Sequence, residues 1–258
     1  MRMMVTFSAL FMSVALLQLS TGGVGPLDAL TGLSAGFSAG EVGFLGSAHF
    51  FGFFIGCWWA PRLMGSIGHS RAFASFTAMG AIGLAAHVLV TDPYFWAIFR
   101  IATGICVAGA YTVIEAWLQA KVTNETRGRA MGSYRIVDMS ASFVAQFMIG
   151  ALADMPTYIA YNLLTILCCA AIFPLTLTTS EQPITPATMR LRPMLAWRAS
   201  PLAVAGVLVA ALSSAAFRMV GPIYGQEVGL AANQIGYFLA AFVAGGAIAQ
   251  YPVGWLAD

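Results

Sequence analysis

Eight apolar stretches follow one another along the chain, each close to the roughly 20 residues that a helix needs to cross a bilayer. They are Met4–Gly25, Val42–Leu63, Ala72–Val90, Tyr94–Ala120, Ala130–Leu152, Tyr158–Leu177, Pro201–Ile223 and Ile235–Ala257. In hydrocarbon each backbone amide needs an internal partner, so such a succession predicts an all-α membrane protein. Composition agrees: 59% of the 258 residues are hydrophobic and 9% charged, against about 25% charged in a soluble domain. So few charges cannot clothe a water-facing surface. A net charge of +2 also excludes the broad basic footprint of a nucleic-acid binder. The expected partners at this level are membrane lipids.

The breaks between stretches carry turn and helix-start chemistry, as in Thr91-Asp92-Pro93, Thr123-Asn124-Glu125-Thr126 and Asp154-Met155-Pro156. One connection is longer. Thr178–Ser200 holds Pro183, Pro186 and Pro193 with Arg190, Arg192 and Arg198. It predicts three parts: a six-helix bundle over 1–178, a cytoplasmic linker over 179–200, and two further spans over 201–258. The first stretch is preceded by Arg2 alone and is too long for a signal-peptide core, so it reads as a first spanning helix. Cys57, Cys106, Cys168 and Cys169 lie inside apolar stretches without metal-site spacing and read as packing residues.

Orientation follows from the basic residues. Arg2, Arg62, Arg71, Lys121, Arg127, Arg129, Arg190, Arg192 and Arg198 fall at the N-terminus or near the turns after spans 2, 4 and 6. The opposite turns hold Asp92, Asp154 and Glu227 and no Lys or Arg. The expectation is a multi-pass protein of the plasma (bacterial inner) membrane with its N-terminus in the cytoplasm. His69 then belongs to a solvated cytoplasmic turn.

The chain also repeats itself. Val24-Gly25-Pro26, read as closing span 1, recurs as Val220-Gly221-Pro222 closing span 7. Val42-Gly43-Phe44 opens span 2 as Ile235-Gly236-Tyr237 opens span 8, and at the same offset Gly52 matches Gly245 and Ile55 matches Ile248. Span 7 therefore restarts the pattern of span 1, as in transporters built from parallel six-helix repeats.

Gly254-Trp255-Leu256-Ala257-Asp258 resembles the first half of the G-x-L-A-D-R-x-G-R-R signature of the major facilitator superfamily. That signature belongs to the cytoplasmic turns after spans 2 and 8. After span 2, Gly68 and Arg71 stand in the matching turn, while Pro61, Gly65 and Ser66 replace the expected Gly, Asp and Arg. Arg100-Ile101-Ala102-Thr103-Gly104 resembles the family's R-x-x-x-G element of span 4. Tyr111-Thr112-Val113-Ile114-Glu115-Ala116-Trp117-Leu118, leading into Asn124–Arg129, is similar to the YcaD-type branch of bacterial facilitators. The resemblance implies a twelve-span fold of which this chain matches the first eight, working as a monomer if full length. It implies alternating access, a proton as coupling ion and no other cofactor, and gating by the turns that hold Gly68, Arg71, Gly254 and Asp258. Span 5 offers Gly132 and Gly150 but not the G-P-x-x-G-G element of family antiporters.

Ionisable and amide side chains inside spans are costly and point to pathways. Arg100 and Arg218 each lie roughly 8–9 Å inside an outer helix end, at 1.5 Å per residue. They are either snorkelling anchors or members of the central cavity, where the family fold places spans 4 and 7. No acid shares their depth on those spans, so the two cations would favour an anionic solute. Arg135, Asp138, Ser142 and Gln146 form one stripe on span 5, within an arc of roughly 80° at about 100° per residue. Arg135 and Asp138 can also pair at i,i+3. Glu115 is either a salt-bridge partner of Arg127 or Arg129 or a relay group; Tyr111 belongs to the same pathway by resemblance. His49 and Gln18 are packing residues or cavity groups.

The function expected is secondary transport of a small organic solute. A non-transporting scaffold or sensor of the same fold is the alternative. An intramembrane enzyme is disfavoured, because no Ser/His, paired-Asp or His/Glu constellation occurs at matching depth.

Overall fold

The computed structural model describes residues 7–178, 182–183 and 193–257, with side chains as far as 249. Arg2, Arg190, Arg192, Asp258 and most of the expected linker lie outside those residues. Eleven helices follow one another among the described residues. They are α1 (Ser8–Thr21), α2 (Val24–Ser34), α3 (Ala39–Ile67), α4 (His69–Ala86), α5 (Pro93–Lys121), α6 (Asn124–Ala153), α7 (Thr157–Ala170), α8 (Ile172–Leu177), α9 (Pro193–Ala199), α10 (Pro201–Glu227) and α11 (Ala232–Ala257). The all-α membrane bundle read from the sequence is the fold observed.

The turn chemistry becomes capping chemistry. Asp92 Oδ1 accepts the amides of Tyr94 and Phe95 at 2.9 and 3.1 Å, and Pro93 opens α5, where its missing N–H costs nothing. Ser38 and Glu41 form a capping box on α3, with Glu41 Oε2 accepting the Ser38 amide at 2.8 Å. Ser200 and Pro201 do the same work for α10.

Among the described residues, seven segments are long and apolar enough to cross a membrane. The expected third span is not among them: α4 is 18 residues and begins with His69, Ser70 and Arg71, which dilute its hydropathy. Packing nevertheless runs it alongside its neighbours. Gly80 faces Cys106 and Gly83 faces Phe99, so α4 is antiparallel to α5. Meanwhile α3 and α5 are parallel. Gly52 lies on the Ile101 carbonyl, Gly56 on that of Ile105, and Gly104 on that of His49. A Cβ at Gly104 would strike backbone, so this contact requires glycine.

Span 1 does not end at Gly25. The helix breaks at Gly22-Gly23 and resumes as α2, running to Ser34. Pro26 falls in the first turn of α2, where no N–H is needed. Pro222 likewise lies inside α10, five residues before its end at Glu227. The repeated Val-Gly-Pro elements are thus interior features of their spans.

The core lies among α1 to α8, around buried Trp96, Trp117, Tyr134, Tyr161, Phe73 and Phe76. α10 is different. Only Gly221, Pro222 and Gly225 are buried on it, and Leu202, Val207 and Leu212 are exposed. Its contacts with the first bundle gather where Met219 fits against Gly25 of α2 and Gly46 of α3. His69 is buried against the Trp117 ring, 5.7 Å between centroids, rather than solvated. Gly68 joins α3 to α4 at φ +82°, and the Ser70 amide donates to Gln182 Oε1 at 3.2 Å.

Candidate functional site: a polar cavity between the bundle and the last two helices

Gln18, His49, Arg100, Arg135, Gln146 and Arg218 come from five spans and line one cavity of about 520 Å³. Its apolar walls are Phe50, Phe53, Phe217 and Phe242. Each polar group has a definable role. Gln146 is buried and its Nε2 donates to the Gly22 carbonyl at 3.2 Å, covering a backbone acceptor exposed by the α1–α2 break. His49 Nδ1 lies 3.3 Å from Thr103 Oγ1.

A second layer stands behind the cavity wall. The Tyr111 hydroxyl lies 2.6 Å from both Gln18 Oε1 and Asp138 Oδ1, and its one proton serves one of them at a time. Asp138 Oδ2 pairs with Arg135 Nη1 at 3.3 Å. Arg135 is 56% exposed and Asp138 15%, so the pair stands at the cavity mouth. Glu115 is further off. Its carboxylate accepts from the Tyr134 hydroxyl at 2.9 Å, whereas Arg127 donates to Gln119. The salt bridge expected between Glu115 and Arg127 or Arg129 is not formed; a buried tyrosine takes that place.

Arg100 has a partner that the sequence did not suggest. Its Nε lies 3.3 Å from Asp28 Oδ2, and both side chains are buried. Tyr161 donates to Asp28 Oδ1, and His87 Nε2 lies 3.7 Å from Oδ2. The expectation of two uncompensated cations therefore fails for Arg100. Asp28 escaped notice because span 1 was closed at Gly25, three residues short of it. The legible signal was an acid set among apolar residues in Val24-Gly25-Pro26-Leu27-Asp28-Ala29-Leu30. Arg218 is half-buried, and among the described residues no carboxylate pairs with it. Gly254 lies within α11 and Arg71 is exposed in the first turn of α4.

The cavity is closed at one end. Met219 fills the notch of Gly25 and Gly46, Gly236 lies on the Gln146 carbonyl, and Gly150 lies on Asn233. These contacts are at the helix ends that carry Asp92, Asp154 and Glu227. Toward the Lys/Arg-bearing ends, a groove of about 880 Å³ separates α6 from α11 between Met131–Val144 and Val243–Ile248. Arg135 and Val243 line both spaces, so groove and cavity are neighbours across these two side chains.

The sequence pattern of the Major Facilitator Superfamily matches residues 4–258. The chain belongs to that superfamily. It is 25% identical over 221 residues to the uncharacterized MFS-type transporter YcaD of Escherichia fergusonii, covering 84% of this chain and 57% of that protein. YcaD of Salmonella heidelberg is 26% identical over 220 residues with the same coverages. The chain thus spans just over half the length of these curated relatives. Among solved structures, the fold resembles a D-xylose-proton symporter with a TM-score of 0.65 and 11% identity, over 93% of this chain and 65% of that one. It also resembles the nucleoside transporter NupG with a TM-score of 0.64 and 14% identity, over 99% of this chain and 68% of that one. The facilitator fold, the multi-pass membrane character and the similarity to the YcaD branch stand on these findings.

Proposed function

We propose that the protein is a secondary transporter that moves a small organic solute by alternating access, coupled to protons. The observation that carries this reading is the polar cavity, with close helix contacts around Met219 toward the acidic helix ends and a neighbouring groove toward the basic ends. A cavity packed more closely on one side than on the other suits one half of a transport cycle. Basic residues mark the cytoplasmic side in this reading, so the form observed faces inward with the N-terminus in the cytoplasm. The moving units are the 1–178 bundle and the 201–258 helices, joined by the 179–200 linker. Within the described cavity wall, Arg218 is the cation left for the solute, which favours a carboxylate-bearing molecule with an apolar body.

The test is counterflow in proteoliposomes, with the protein as its gene encodes it and a panel of labelled carboxylates and neutral analogues. Exchange of trans-loaded solute without an imposed gradient supports the reading. A folded protein that exchanges none of the panel, carboxylate or neutral, overturns it in favour of a scaffold or sensor.

A further inference from the structure

We propose that His87 is the proton-binding residue of the buried charge cluster, taking its proton at Nε2 against Asp28. The geometry leaves His87 few options. Its Nδ1 lies 2.6 Å from the Gly83 carbonyl oxygen, which can only accept, so Nδ1 carries a hydrogen. In the neutral ring Nε2 would then present a lone pair to the Asp28 carboxylate oxygen 3.7 Å away. Two lone pairs facing each other away from water repel; a proton on Nε2 turns the contact into an ion pair. His87, Asp28 and Arg100 are 0%, 2% and 3% exposed, and His87 Nε2, Asp28 Oδ2 and Arg100 Nε have no hydrogen-bond partner of good geometry. The site is buried and preformed, and Nε2 is the atom at which one further proton gains a partner.

The surroundings set what the proton changes. Among the described residues, the titratable or charged groups facing His87 are Asp28 from α2, Arg100 from α5 and Tyr161 from α7. Its own helix contributes the Gly83 carbonyl. Tyr161 stacks on the imidazole at 4.9 Å and occupies Asp28 Oδ1, which leaves Oδ2 for both cations. With His87 neutral, Asp28 and Arg100 balance each other. A proton delivered through water adds to the Nε2 lone pair, and the cluster becomes cationic by one unit. Asp28 is then shared, and Arg100, which also lines the solute cavity, is undercompensated. Proton uptake at His87 therefore makes the cavity more receptive to an anion, and by linkage a bound anion favours the proton. This coupling role rests on the transport reading above; the proton site itself does not.

The experiment reads protonation directly. The Trp96 ring lies 5.1 Å from that of His87, close enough for an imidazolium to quench its fluorescence. The full chain in lipid nanodiscs is titrated across the whole pH range in which it stays folded. The expected result is a one-proton rise in emission as pH increases, absent from Trp96→Phe and lost in His87→Gln and Asp28→Asn. A flat profile in the parent protein, or a transition that survives His87→Gln, overturns the proposal. Should those variants misfold, the three histidines allow a second measurement. With His49 and His69 both changed to Gln, ring-nitrogen NMR of the remaining histidine should show Nε2 gaining its proton on acidification; an unchanging spectrum overturns the proposal equally. Titration without solute exchange would sink the transport reading and leave the site standing, whereas exchange without titration would do the reverse.

Discussion

Asp28 Oδ2 lies 3.3 Å from Arg100 Nε, with both side chains closed off from solvent. The pair ties α2 to α5 through the interior of the bundle. Removing one partner of such a pair leaves a buried charge and costs about 3–5 kcal/mol, while replacing both by apolar groups is often close to neutral. Asp28→Leu and Arg100→Met should each lower the apparent Tm in detergent strongly, and the double variant should regain most of the loss. Additive losses in the double variant would mean that the two charges are stabilised independently.

The α3–α5 contact gives a cleaner comparison. A Cβ at Gly104 would meet the His49 carbonyl and lie 2.8 Å from the Phe53 amide nitrogen, whereas one at Gly132 would meet nothing within 4 Å. Gly104→Ala should destabilise by about 1–3 kcal/mol through overpacking. Gly132→Ala should be neutral or stabilising by up to about 1 kcal/mol, since alanine is the better helix former. Equal thermal shifts for the two variants would show that α3 and α5 are not in backbone contact.

Closure around Met219 can be trapped. A Cβ built on Gly46 lies 3.6 Å from the Met219 Cβ, inside the roughly 3.5–4.5 Å window for a disulfide. Gly46→Cys with Met219→Cys, in a background lacking the native cysteines, should cross-link under mild oxidation and abolish solute exchange, with recovery on reduction. Failure to cross-link would mean that the contact is not formed in the membrane.

Gln146 tests the cavity wall. Gln146→Leu removes the donor to the Gly22 carbonyl at a cost of about 1 kcal/mol and should leave insertion and expression intact. Exchange should fall severalfold, because the α1–α2 break loses its support beside the cavity. Full exchange at normal expression would confine the side chain to packing.

Most of the fold was legible because bilayer length and apolarity are one-dimensional signals that a sequence displays directly. Thr91-Asp92-Pro93 and Thr123-Asn124-Glu125-Thr126 announced helix starts that the structure reproduces. The site was legible in outline: Gln18, His49, Arg100, Arg135, Gln146 and Arg218 were picked as polar groups in apolar surroundings and share one cavity. Its pairing was not. Tyr161 and Asp28 are 133 positions apart and meet through tertiary packing that no helical period encodes. Asp28 itself was lost to the assumption that Pro26 ends a helix, when a proline in a first turn lets the helix continue. For Glu115, sequence distance favours the nearby Arg127 or Arg129 as a salt-bridge partner over a relay role. A tyrosine 19 residues on, nearly three turns inside the next helix, is better placed.

The seam between the two parts of the molecule is built from a thioether in a glycine notch and from glycines laid on neutral backbone and amide groups: Met219 at Gly25 and Gly46, Gly236 at Gln146, Gly150 at Asn233. None of these contacts joins opposite charges. Mobile ions weaken attractions between charges and have little hold on dispersion contacts. The balance between sealed and unsealed forms should therefore be nearly indifferent to ionic strength. Under the proposed transport reading, the contact between the two parts would keep the same strength in dilute and concentrated media, and ionic strength would not set which form prevails.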